Sequence, residues 1–385
     1  MNDITVMFPM ATTAAELDEY LAPSSLGADG GPLIPTALYM SDPEAIDLTN
    51  LRAVGFRLDP CFGQLGPITD PSTCDNQIRL IFQPLFAGDA DTPPETAEDA
   101  GVHVLYSITR DQLLAAVGEI AAARTAVDST DLGPLGVHPI MAREGMSGEM
   151  AQKLTAIAAK YAAGSKIERI TTFELDASGG GGPIMNGSGS GSGSDDPIII
   201  DSLFWQMHGM DVKNGVEVAI EVPTLSPAST TVSLSASTNP LEASPSPATT
   251  SADGFNLLAS ASMAMAASPA ARQAAFDAAL RVENPVKNTA NSIDCVSCHI
   301  AEPARELVGE QMLGMSSTGN ANAFVADPSI PAADLAQTTT SLIDASDGGL
   351  DIHAFSYLGT TPLINQRVIN ETAANLAYLQ TLIAK

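Results

Sequence analysis

The chain has 385 residues and a formal net charge of −28, with 45% hydrophobic but only 16% charged residues. That length exceeds one comfortable core, so two domains are the default. Most of the acidity lies before about residue 250. It repels nucleic acid, no basic patch offsets it, and no stretch is long and apolar enough to span a bilayer.

The first part reads as α+β, an antiparallel sheet with two helices. Alternation over residues 54–58 and 77–82 predicts two strands, the second with Ile78, Leu80 and Phe82 on one face. Cys61 and Cys74 lie between them and enclose Gly63, Gly66, Pro67 and Pro71, as a stapled turn would. A disulfide-tied hairpin is expected, with unlinked thiols as the alternative. A Pro/Asp/Glu-rich loop is expected at 89–99 and a strand at 102–108. A helix begins near Asp111, with Leu113, Leu114, Val117 and Ile120 at helical spacing. A second helix is expected over 147–163, with Ser147 as its cap and Met150, Leu154, Ile157 and Tyr161 on one stripe. Residues 167–175, 198–207 and 216–222 read as further strands. The run 179–194 is nearly all Gly and Ser and can bury little. The Ser/Thr/Pro/Ala-rich tract 223–252 reads as a linker, with one short strand at 232–234. It divides a first domain, 1–222, from a second, 253–385.

In the second domain, 269–281 predicts a helix capped by Ser268 with Pro269 in its first turn and Phe276, Ala279 and Leu280 on one side. Residues 303–313 predict another helix, 314–350 a loop-rich stretch, and 364–383 a final amphipathic helix. Between the first two helices stands Cys295-Val296-Ser297-Cys298-His299. Its C-x-x-C-H spacing is that of c-type haem attachment: two thiols each form a thioether to a vinyl group, and the next histidine reaches the iron. A thiol–disulfide site and a zinc site are the alternatives. Zinc needs a second Cys/His pair, and Cys61 and Cys74 are far upstream.

The order helix, C-x-x-C-H, loop and amphipathic terminal helix, ending in Asn370-Glu371-Thr372-Ala373-Ala374-Asn375-Leu376, resembles a small class I cytochrome c domain. The resemblance covers residues 253–385 and implies an all-α domain holding one covalent haem c. It implies that Cys295 and Cys298 carry the haem and that His299 is the proximal ligand. That family usually places a distal methionine before the last helix, but no methionine follows Met315 here. His353 lies in that region and is the expected distal ligand; Met312, Met315 or an open iron position are the alternatives. The implied function is one-electron transfer with a redox partner protein, which an acidic surface could steer. A haem peroxidase-type enzyme is the second reading. A binding or structural protein with a stabilising or sensing haem is the third. Covalent haem attachment in bacteria occurs outside the cytoplasm, so a periplasmic or extracellular location is expected. Residues 1–8 lack a basic n-region and a long apolar h-region, so a leader is expected to have been removed.

The other histidines, His103, His138 and His208, could bind copper together with Met207 or Met210. They share no ligand spacing, so structural or surface roles are expected. Trp205, Met263 and Met265 read as packing residues. Asp195 and Asp196 stand isolated. No G-x-S-x-G, H-E-x-x-H, phosphate-loop or dinucleotide fingerprint occurs.

Overall fold

A computed structural model of the protein describes residues 1–11, 14–38, 50–64, 74–85, 97, 100–127, 133–176, 202–220, 230–235, 241–246, 254–337 and 352–384. The run 179–194, Asp195 and Asp196, and all of the 89–99 loop except Ala97 lie outside the described residues.

The frame is an antiparallel sheet. Its strands are β1 (Thr5–Met7), β2 (Leu51–Asp59), β3 (Asn76–Pro84), β4 (Ala100–Ile108), β5 (Ile167–Asp176), β6 (Ser202–Lys213), β7 (Val216–Ala219), β8 (Thr230–Ser235) and β9 (Ala243–Ser246). They run in the spatial order β1-β2-β3-β4-β5-β6-β8-β9, with β7 also paired to β6. The β2–β3 hairpin forms as expected, and Cys61 and Cys74 are disulfide-bonded at its end, with Cα atoms 4.3 Å apart. The β6–β7 turn uses Asn214 and Gly215 at φ 57° and 74°. Both central residues there need positive φ, which is why an Asn-Gly pair closes it.

Strand alternation gives the sheet two faces. Phe56, Leu58, Ile78, Leu80, Phe82, Val104 and Tyr106 are all fully buried and point to one of them. The helices α2 (Arg110–Ala126) and α4 (Glu149–Tyr161) pack on this face, after the short helix α1 (Ala14–Leu17) and alongside α3 (Pro139–Glu144). Helix α2 starts through a capping box: Thr109 accepts from the Gln112 amide, and the Gln112 side chain accepts from Thr109 N–H. Asp111 lies in its first turn, near the helix start as expected. Ser147 does not cap α4; Gly148 holds that position.

The second part corrects three expectations. The tract 223–252 is not a plain linker, because β8 and β9 extend the sheet. The region after it is not all-α. It holds α5 (Asn256–Ala259), α6 (Ala261–Ala266), α7 (Pro269–Glu283), α8 (Cys295–Pro303) and α9 (Gln366–Ile383), but also a hairpin of β10 (Phe355–Leu358) and β11 (Thr361–Ile364). Nor does it fold apart from the sheet: Ile369, Ala373 and Leu379 share one core with the strands, and the Thr5 and Thr372 hydroxyls meet at 2.8 Å. The short isolated strand read at 232–234 finds partners on both sides, which a two-residue alternation could not announce.

Capping residues set the helices of this part. Ser268 accepts from Ala271 N–H and starts α7, with Pro269 in its first turn. Asn365 accepts from Val368 N–H and starts α9. Helix α8 continues past Pro303 as a π-helical stretch, Ala304–Met312, where the expected separate helix at 303–313 was placed. Among the described residues no helix is long and apolar enough to cross a membrane.

Candidate cofactor site

Asp294 organises the C-x-x-C-H segment. Its carboxylate accepts from the Ser297 amide at 2.8 Å and from the Ser297 hydroxyl at 2.9 Å, so the helix begins at Cys295. Val296 and Ile300 are fully buried among α5, α7 and the π-helical stretch. Anchoring that side turns positions i, i+3 and i+4, Cys295, Cys298 and His299, to the opposite side together. His299 Nδ1 lies 2.5 Å from the Ile352 carbonyl oxygen. A carbonyl only accepts, so Nδ1 carries the proton and Nε2 carries the lone pair.

These three residues roof a cleft whose floor is the second face of the sheet. The pairing registers give that floor an order. One rung crosses the strands as Arg57, Arg79, Leu105 and Arg169. The next rung is Gly55, Ile81, His103 and Thr171. Two residues along a strand separate the rungs, about 7 Å. Helix α9 closes one side with Arg367, Val368 and Glu371, and Phe355 closes another.

The arginine rung is electrostatically unusual. Like charges directly across a ladder repel, yet Arg57 stands opposite Arg79. Asp59 contacts both, at 2.5 Å and 3.2 Å. Glu371 bridges Arg57 at 2.7 Å and Arg367 at 2.6 Å. Three guanidiniums therefore share two carboxylates in a region almost free of solvent. Burial and the Arg57 charge pull Arg79 below the ordinary arginine range. Burial would raise Glu371, but Arg367, Arg57 and Arg79 overcome it and hold the carboxyl down at about 2. Arg169 has its own partner, Asp211, at 2.7 Å. Arg367 also donates to the Val282 and Asn288 carbonyls, at 2.7 and 2.9 Å, and so ties the start of α9 to the end of α7.

Burial pushes the Cys295 thiol up to about 12, helped by Cys298 and Asp294, and Cys298 up to about 11. A thiol–disulfide catalyst needs the reverse shift. The two cysteines are unbonded to each other. Among the described residues no three Cys, His, Asp or Glu side chains form a ready metal-binding group.

His103 also lines the cleft, at the centre of its floor. Its Nε2 is buried and has no hydrogen-bond partner. Burial first, then Arg79 and His299, hold its imidazole well below the ordinary histidine range, so the ring is neutral. The expected distal residue, His353, does not line this cleft. It stacks edge-on against Phe173 and Trp205, with centroids 5.3 and 5.2 Å away. Met312 is 39% exposed, and Met315 packs beside the α5–α8 cluster; neither lines the cleft. The copper set is not assembled. His138 is fully buried beside Asp3, and His208 points to the opposite face of β6 from Met207. Trp205 is buried in the core as expected, whereas Met263 and Met265 are exposed on α6.

Sequence reasoning placed Cys295, Cys298 and His299 in the site and missed His103, Arg57, Arg79 and Arg367. The signal available was the alternation of Arg57, Arg79 and His103 with apolar neighbours. That pattern also describes a strand with one solvated face, so it carries no site by itself. No family model matches the chain, and no curated protein or solved structure is similar to it.

Proposed function

We propose that the protein is an exported c-type cytochrome with one haem attached to Cys295 and Cys298, ligated by His299, and working in one-electron transfer. One observation carries this reading. The two thiols and the imidazole face a single cleft, and the imidazole is already fixed in the tautomer whose Nε2 can bind iron.

The residues present suit such a group. A haem is a flat apolar disc with two carboxylates on one edge. The cleft offers apolar walls in Ile81, Leu105, Ile293 and Phe355, and a surplus of buried cations in the arginine cluster. The buried, unpartnered Nε2 of His103 is a further polar atom that the protein alone leaves unsatisfied. When bound, the haem supplies an iron that cycles between ferric and ferrous states. The chain's own contribution is orientation, charge and exclusion of water. The Ile352 carbonyl accepts from His299 and makes that ring a stronger donor. The cap at Asp294 fixes the helix that carries both cysteines. Arg57, Arg79 and Arg367 would hold the carboxylate edge.

The order α7, α8, α9 supports the class I cytochrome c resemblance, as do the Arg367 and Asn370 side chains that bind the carbonyls ending α7. The β10–β11 hairpin and the sheet floor are departures from that family's pattern. The Cys61–Cys74 bond supports an oxidising compartment, periplasmic or extracellular. The net charge of −28 suits a basic redox partner protein.

The test is an absorption spectrum and pyridine haemochrome of protein made in a host that matures c-type haem. A covalent signal, absent from the Cys295→Ala/Cys298→Ala variant, is expected. Colourless protein, or porphyrin removed by acid–organic extraction, overturns the reading.

A further inference from the structure

The geometry points to His103 of β4 as the second axial ligand of that haem, opposite His299, which makes the sheet the distal wall of the pocket and not a separate docking module. The inference rests on the haem reading above.

Four observations carry it. His103 and His299 line the same cleft, one on its sheet floor and one on its helical roof. The His103 Nε2 is buried and has no hydrogen-bond partner, and a buried polar atom of that kind is costly unless something occupies it. Its flanking positions in the rung are Ile81 and Thr171, so no carboxylate stands directly across from it to take that role. The Phe173 ring lies against both imidazoles, its centroid 6.2 Å from that of His103 and 5.6 Å from that of His299. Phe173 can lie across β4 only because Gly101 is opposite it: a Cβ there would come within 2.5 Å of the ring.

The placement also orients the cofactor. The arginine rung is one pleat from His103 along the same face. A haem ligated at His103 would thus find cations on one side and Phe173 on the other. His103 sits on a central strand, hydrogen-bonded on both edges, which holds a ligand rigidly.

The test compares wild type, His103→Ala, His103→Met and His353→Ala, each purified with haem attached. Absorption and electron paramagnetic resonance spectra report the spin state, and carbon monoxide reports an open ferrous site. Wild type is expected to be low-spin and closed to carbon monoxide. His103→Ala is expected to become high-spin and to bind carbon monoxide, with added imidazole restoring the low-spin spectrum. His103→Met is expected to gain the weak long-wavelength band of Met–iron ligation, which keeps the test alive should the alanine variant misfold. His353→Ala is expected to stay low-spin. A His103→Ala protein that remains low-spin, a wild type already high-spin, or loss of the low-spin state in His353→Ala each overturns the assignment while covalent haem persists. Absence of covalent haem from wild type overturns the underlying reading as well.

Discussion

The two faces of the sheet are built from the same strands and are both buried, yet they differ in chemistry. One face presents Phe56, Leu58, Ile78, Leu80, Phe82, Val104 and Tyr106 to α2 and α4. The other presents Arg57, Arg79, Arg169, His103 and Thr171 to α8, α9 and the β10–β11 hairpin. A polar strand face normally meets water. Here it meets protein, so its charges are held by neighbouring side chains and its histidine is left unsatisfied. The first face is continuous apolar core, and the second carries buried charge inside the protein.

The contrast can be broken most strongly on the apolar face. Phe82 has no exposed surface, and Phe82→Ala removes a ring that nothing can replace. The expected loss is about 3–5 kcal/mol in denaturant unfolding, with the slope unchanged. A loss under about 1 kcal/mol would mean that the apolar face is not the main support.

On the polar face the expected effect depends on pH. Glu371 is held at about 2 by Arg367, Arg57 and Arg79 against an ordinary value of 4.5. A carboxyl depressed on folding adds stability above its unfolded value, and that stability is lost as pH falls toward the folded value. Glu371→Gln is therefore expected to lose roughly 3 kcal/mol at pH 7, because three guanidiniums are left with one carboxylate. The gap to wild type should close between about pH 4.5 and 2. A gap independent of pH in that window would show that the loss is one of packing.

The smallest expected effect is at the join of wall and floor. Gly101→Ala places a Cβ against Phe173, whose ring cannot retreat without pressing on His103, His299 or Trp205. The expected cost is about 1–3 kcal/mol in unfolding. In protein carrying the proposed haem the spectrum is expected to shift as well, since the Phe173 ring lies against His103 and His299; an unchanged spectrum would show that Phe173 does not reach the cofactor.

Much of this was legible in the chain. Period-two alternation located β2 and β3, and Ser268, Pro269 and the apolar stripe located α7. Caps were harder: Ser147 has a suitable side chain, but Gly148 holds the cap position of α4 because helix starts depend on where the preceding turn releases the backbone. The strands β1, β10 and β11 are three or four residues long, too short for a period to declare itself, and gain their pairing only from distant partners.

The sequence by itself places two thiols and an imidazole within about one helical turn. C-x-x-C-H needs no partner to be read, because its spacing is local to one helical turn. The disulfide was similarly local, at a separation of 13 residues. Only the tertiary structure decided what stands opposite. His103 lies about half the chain away from His299, and nothing in the spacing of the two can state that a strand passes beneath a helix. Alternation says that a side chain points to one face; whether that face meets water or a cleft depends on what folds over it.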